Sequence, residues 1–391
     1  MHTWCSSWCH SRSTAHCVHF TCFAIMTTWK TKFTEVFQCS LPIMGAPMAG
    51  VSGGLLAAET SRAGALGFVA AGHANDIEAL DVQIDLFRTH APKNSPLALG
   101  FITHSSCCAS DFTTLETILQ RHKPEYVQFF APAIVTLQAP TCQKTNIQIA
   151  QDHGAKVLVQ VGNIADAKEA MTAGVDAIIA QGTESGGHGL RRELGCGTLS
   201  LAGRVAKLVL SARNNNDNHH HHYDIPVLAA GGMVNGHSLA AALALGCDGI
   251  VLGTRLWASH EAMGRPEHKQ LLTTKEADDC IRTTVMDQIQ NSYSTTPWPY
   301  PYDSVGVLKN ALTDTWDAKP REELEAVIQT VAAQYRQAQN DGESRICQVY
   351  AGEGVGDIES VEGAYDIIQH LSAEAMEIVQ SMPKFLQDDN S

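Results

Sequence analysis

From residue 41 onward, short and nearly continuous apolar runs alternate with longer stretches in which apolar residues recur every three or four positions. The apolar runs occupy 41–45, 66–70, 97–102, 126–130, 156–161, 177–180, 226–230 and 249–253, which makes eight candidate strands. Runs without polar alternation are what a parallel sheet covered on both faces requires. Between them, Ile77, Leu80, Ile84 and Phe87 share one helical face, and Phe112, Leu115, Ile118 and Leu119 repeat the pattern. Gly-containing turns at 63–67, 152–156 and 172–177 close helices just before strands. Eight strand–helix units in series predict an α/β fold, a (β/α)8 TIM barrel over 34–257, rather than an open doubly wound sheet.

The rhythm breaks in three places. Segment 214–222, reading NNNDNHHHH, is low-complexity and predicts a surface loop; a designed metal site in its four histidines is the weaker reading. After Trp257 the alternation stops, and 258–340 predicts a smaller, mainly helical second domain over the active site. Residues 341–391, with VYAGEGVG at 349–356 and a helical tail from 358 to 381, are expected to return to the barrel. Residues 1–25 carry no acidic residue and little apolar periodicity, which predicts a disordered or non-native extension. A mitochondrial presequence, hence a matrix location, is the weaker alternative to a cytoplasmic one.

Composition narrows the class. A chain of 391 residues, 44% hydrophobic, can bury a large core, and a net charge of −14 argues against nucleic acid and anionic membranes as partners. No apolar run reaches the roughly 20 residues that span a bilayer. The twelve cysteines are scattered, and Cys5, Cys9, Cys17 and Cys22 do not follow a familiar zinc spacing, so no metal is expected.

Reactive groups in such barrels lie on the loops after the strands. After strand one, GAPMAG (45–50) places small residues where backbone could approach a flat ring. After strand six, QGTESGGHG (181–189) sets His188 beside Gly186 and Gly187, a proton-transferring side chain next to backbone able to face an anion. AAGGMVNG (229–236) and GTRLW (253–257) follow the last two strands, the usual place for a phosphate site in this architecture. No Gly-x-Gly-x-x-Gly follows the first strand, and no lysine stands as an obvious Schiff-base residue at a strand end. FMN is therefore the expected phosphorylated ligand.

Taken in order, LPIMGAPMAGVSGG, VLVQVGN, AIIAQGTESGGHG, VLAAGGMVNG and GIVLGTRLW resemble the nitronate monooxygenases, formerly 2-nitropropane dioxygenases, across roughly residues 34–380. The resemblance implies an FMN-bearing barrel with His188 as the catalytic residue. It places Ala46, Pro47 and Met48 against the isoalloxazine edge, Gln160 on the flavin and Gly182 near the ring. Ser185 and Gly186 join the cofactor site, and Gly231, Gly232, Gly253 and Thr254 hold the phosphate. The implied reaction is oxidation of an alkyl nitronate, propionate 3-nitronate among the candidates, by dioxygen to a carbonyl compound and nitrite; a homodimer is compatible with it. An NAD(P)H-dependent FMN reductase of the enoyl-thioester or quinone type is the alternative, and a non-catalytic flavin-binding protein a more distant one. Thr103 and His104 stand where relatives vary, and the 214–222 insertion has no family counterpart, which leaves substrate preference open.

Overall fold

A computed structural model describes residues 28–72, 76–104, 112–131, 144–214 and 224–385. The expectations for 1–25 and for the histidine run at 219–222 lie outside the described residues. The strands are β1 (Ile43–Gly45), β2 (Val69–Gly72), β3 (Ala98–Ile102), β4 (Tyr126–Phe130), β5 (Lys156–Val161), β6 (Ala177–Gln181), β7 (Gly187–Gly189), β8 (Val227–Ala230), β9 (Gly249–Leu252), β10 (Cys280–Thr283) and β11 (Ser304–Leu308).

Eight of them form one parallel sheet in the order β1-β9-β8-β6-β5-β4-β3-β2. Leu66 closes the ring, because its N–H donates to Ile43 O and its carbonyl accepts from Gly45 N, both at 2.9 Å. Regular pairing of β2 begins only at Val69, later than the apolar run at 66–70 suggests. The cause is local: a Cβ on Gly67 would stand 2.0 Å from the Ala57 carbonyl oxygen, so backbone there presses on the helix Gly54–Arg62 instead of running on in register.

The period-two alternation of each strand sorts side chains between two cores. Met44, Leu66, Ala98, Leu158, Ile179, Leu228 and Val251 point into the lumen, while Ile43, Val157, Val159, Ile178, Val227 and Ile250 face the surrounding helices. At the bottom the lumen is plugged by the helix Lys32–Phe37, which begins in a capping box built on Thr31. Phe33 and Phe37 are fully buried, Tyr126 packs edge-on against Phe37 with centroids 5.0 Å apart, and its hydroxyl donates to Phe37 O at 3.1 Å. The same alternation puts polar residues, Gln128, Gln160 and Gln181, on the lumen side of the opposite end.

The region after the barrel is less purely helical than its sequence suggests. It contains β10 and β11, which form an antiparallel sheet in the order β10-β11-β7. Its third strand is borrowed from the loop after β6, with Val305 opposite His188. No apolar run announces β7, whose three residues are Gly-His-Gly, so it is invisible to local pattern. Around this sheet, Met286, Ile289, Val307, Leu324, Val331 and Tyr335 form a separate small core. The helix Ala364–Ser381 then packs back on the barrel, where Gly236 N donates to Glu374 at 2.6 Å and Gln369 donates to Ala63 O at 2.7 Å.

Phe37→Ala should destabilise the protein by about 3–5 kcal/mol, the usual cost of emptying a buried aromatic site. Chemical denaturation measures it; a loss below about 1 kcal/mol would show that the plug does not hold the barrel's lower end.

Candidate active site

A cavity of about 340 Å³ opens at the C-terminal ends of the barrel strands. Its floor is the polar layer of the lumen. Gln128 Nε2 donates to Gln160 Oε1 at 3.2 Å, which leaves the Gln160 amide N–H groups uncommitted among the described residues. Gln181 Nε2 donates to the His188 carbonyl at 2.9 Å, tying the floor to the loop above it.

One wall is Ala46, Pro47 and Met48. Pro47 lies so close to β3 that a Cβ on Gly100 would stand 2.2 Å from its own Cβ, which explains a glycine inside that strand. The opposite end is almost pure backbone. Gly231 and Gly232 have φ of 109° and 71°, a region L side chains rarely adopt, and their turn runs beside Gly253 and Thr254. Gly352 and Gly354 complete this end, and Gly352 N donates to Thr254 Oγ1 at 3.0 Å. A Cβ on Gly354 would fall 2.7 Å from Gly232 O, so the 349–356 segment must be glycine-rich to pack there. The sequence shows those glycines but not where they go.

Of the residues expected in the site, Ala46, Pro47, Met48, Gln160, Ser185, Gly186, His188, Gly231, Gly232, Gly253 and Thr254 all line this cavity. Gly182 does not. Its N–H continues the sheet to Ala230 O at 2.9 Å, and a Cβ there would meet Thr198 N at 2.3 Å. The absence of a side chain serves the approach of the helix Thr198–Asn214.

Four groups that local sequence does not single out surround His188. His188 Nε2 lies 2.8 Å from Asp287 Oδ1, carried by the helix Val285–Asn291. The Asp287 side chain is 1% exposed, and its Oδ2 has no partner among the described residues. A carboxylate oxygen can only accept, so the contact fixes the proton of a neutral His188 on Nε2 and leaves Nδ1 as the basic nitrogen. The indole of Trp298 stacks on the imidazole with centroids 3.7 Å apart and planes within 10°. Asn291 holds that tryptophan's backbone from both sides, donating to Trp298 O and accepting from Trp298 N, each at 3.0 Å. Tyr350 lies 6.3 Å from His188, and burial pushes its phenol up to about 12, so it is protonated at neutral pH.

The fourth group is Arg282 of β10. Its guanidinium donates to Thr183 O (3.0 Å), Ser185 O (2.6 Å), Ser185 Oγ (2.9 Å), Gly187 O (3.3 Å) and Ser304 O (3.2 Å). Burial lowers its pKa to about 10, which still leaves it cationic at neutral pH. Four of these five oxygens belong to the glycine-rich loop that carries His188, so one planar fork fixes its shape. The strap from Trp298 to Asp303 is latched separately: Arg191 forms a two-pronged pair with Asp303 at 2.8 and 2.6 Å, and Tyr302 donates to Asp166 at 3.0 Å. Among the described residues no cluster of His, Cys, Asp or Glu could hold a metal ion, and no helix is long and apolar enough to cross a membrane.

A closed barrel with a carboxylate-paired histidine and a glycine-rich backbone turn at the C-terminal ends of its strands is an architecture common among enzymes, whose sites lie at that end. The chain belongs to the nitronate monooxygenase family, whose sequence model matches residues 30–374. It is 30% identical over 361 residues to a nitronate monooxygenase of Neurospora crassa, covering 88% of this chain and 91% of that one. A second, from Metarhizium robertsii, is 29% identical over 87% of this chain and 92% of its own length. Among solved structures, FabK from Thermotoga maritima aligns with a TM-score of 0.72 at 25% identity, over 92% of this chain and all of that one. A nitroalkane oxidase from Streptomyces ansochromogenes, at a TM-score of 0.68 and 24% identity over 90% of this chain and all of its own, shares the fold. The protein is thus a nitronate-oxidising enzyme of the α/β barrel class.

Arg282→Lys keeps the charge but loses the fork. It should cost about 3–5 kcal/mol in unfolding free energy, as expected when one side of a buried polar network is removed, and should speed proteolysis within 183–187. A loss below about 1 kcal/mol with an unchanged cleavage pattern would mean that the loop holds its shape without it.

Proposed function

We propose that the protein uses FMN and dioxygen to convert alkyl nitronates to carbonyl compounds and nitrite, with His188 as its catalytic residue. The observation that carries this reading is the presentation of His188 at the cavity, paired through Nε2 with buried Asp287 and stacked on Trp298.

The residues present fit a flavin mononucleotide. Gly231, Gly232 and Gly253 offer backbone without side chains beside Thr254, a cradle suited to a phosphate, and the positive φ of Gly231 and Gly232 favours glycine there. Ala46, Pro47 and Met48 give a flat apolar wall for the ring, and Gln160 has amide donors for its polar edge. Ser185 and Gly186 close the loop side. Bound there, FMN would supply the electron acceptor that side chains cannot.

The chain's own contribution is to bind and orient the anion and to move one proton. His188 Nδ1 is the nitrogen able to take a carbon-bound proton from a neutral nitroalkane. The charge that then forms on the ring is stabilised by the Asp287 carboxylate and by the indole face. With a preformed nitronate no proton has to leave, and the histidine's part is to orient the anion. Ile102, Phe130 and Trp298 line the cavity on this side and shield the reacting groups from bulk water, where electrostatic contacts are weaker. Asp287 is a positioning residue, acting through the histidine.

The likeness to FabK keeps an NAD(P)H-dependent FMN reductase as the second reading. Oxygen consumption with a nitronate, against NADH oxidation with an electron acceptor, separates the two. Turnover with NADH alone would sink the proposal.

Two variants test the roles. His188→Asn should lower kcat/KM for a neutral nitroalkane by about 10²-fold or more and for the nitronate by clearly less, with flavin content unchanged. Asp287→Asn should show the same substrate split at about 10-fold; equal losses on both substrates would make Asp287 merely structural. Separately, heat-released cofactor should be FMN, one per chain, and Gly232→Asp, which sets a carboxylate against the phosphate, should purify colourless. A yellow Gly232→Asp protein would place the phosphate elsewhere.

A further inference from the structure

We infer that Gln290 holds the head of the substrate: its side-chain amide donates to an oxygen of the nitronate while His188 faces the reacting carbon. The inference rests on the nitronate reading above and adds to it a residue that recognises the nitro group itself.

Three residues of one short helix converge on the histidine. Asp287 meets His188 Nε2 at 2.8 Å, and Asn291 clamps the backbone of Trp298, whose indole stacks on the imidazole. Gln290 lies three positions after Asp287, so both project from one side of the helix Val285–Asn291. That spacing brings Gln290 to the His188 end of the cavity, which it lines together with Trp298 and Tyr350.

The other three glutamines of the cavity belong to barrel strands and serve its floor: Gln128 donates to Gln160, and Gln181 to His188 O. Gln290 is half-buried, and its backbone carbonyl accepts from Tyr293 N and Ser294 N at 3.1 and 2.9 Å. Its amide has no hydrogen-bond partner among the described residues. A glutamine near a helix end usually turns to water, whereas this one turns into a pocket walled by Phe130 and Trp298.

The chemistry needs a donor at that point. When His188 Nδ1 takes the carbon-bound proton, the C–H electron pair becomes the C=N bond and an N=O pair moves onto oxygen. The negative charge therefore ends on the two oxygens, while the histidine attends to the carbon. An uncharged amide N–H can face those oxygens without titrating. In a preformed nitronate the charge is present from the start, so the contact is already made in the bound ground state.

The experiment compares wild type, Gln290→Leu and Gln290→Glu on the preformed nitronates of nitroethane, 1-nitropropane and 1-nitrobutane under air, with flavin content measured for each protein. Gln290→Leu should lower kcat/KM by about 10- to 100-fold, the range for a hydrogen bond to a charged group, and mainly through KM. The loss should be the same for all three substrates, because the head does not change along the series. Gln290→Glu should lose more than Gln290→Leu, since an ionised carboxylate cannot donate and repels the anion. Gln290→Met, which keeps the side chain's length, should repeat the leucine result.

Flavin-loaded leucine and methionine variants that keep wild-type KM for the nitronates overturn this inference and leave nitronate oxidation standing. A loss that changes steadily with chain length does the same, because Gln290 would then touch the tail. So does a glutamate variant as active as wild type. Variants that purify without flavin would assign Gln290 to the cofactor instead, and overturn it too. Failure of the wild type to oxidise any of the three nitronates overturns the functional reading, and the inference with it.

Discussion

The buried guanidinium of Arg282 joins the two parts of the molecule where His188 sits. It reaches from a strand outside the barrel to three carbonyl oxygens and a hydroxyl of the loop after β6, and to Ser304 on the neighbouring strand. Glycine-rich backbone has many conformations of similar energy. Without that fork, and without β7 pairing to β11, the loop at 182–189 would have no single shape. With both, His188 becomes a residue of an antiparallel strand rather than of a free loop. Its imidazole is then set against a carboxylate on one side and an indole on another.

This explains why the smaller unit is placed over the barrel mouth. The barrel supplies a lumen whose lower part is filled by hydrocarbon and closed by Phe33 and Phe37. Its upper part ends in a polar layer of glutamines and a backbone cradle. Neither holds a group that orients an imidazole. The helix Val285–Asn291 supplies both the carboxylate of Asp287 and, through Asn291, the clamp on Trp298. The orientation of His188 therefore comes from the smaller unit acting on a barrel loop, while the glycine turns at 231–232 and 253 stay on the barrel. Charge is used sparingly: Arg191 is held by Asp303, Arg282 by loop oxygens and Arg255 by Glu362.

Much of this was legible in the chain before folding. The eight apolar runs predict the parallel strands because a strand covered on both faces must be apolar at every position, and their shortness and alternation with amphipathic stretches separate them from buried helices. The start of β2 was misjudged, because contact between Gly67 and Ala57 is not a property of either segment alone. Gly182 shows the same limit. A glycine declares that something comes close to it, and the sequence cannot say whether that is a ligand or the helix at Thr198.

What the sequence determined by itself was whatever depends on neighbours along the chain: strand and helix periods, glycine-rich turns and the loop bearing His188. What only the tertiary structure decided was whatever depends on residues distant in sequence and adjacent in space. Asp287 lies 99 residues from His188, and on a helix among polar neighbours it reads as an ordinary surface acid. Trp298 sits in a Pro/Tyr-rich stretch that resembles a loop, and Arg282 in a strand of four residues. Their roles arise from burial and mutual distance, and those quantities exist only once the chain has closed on itself.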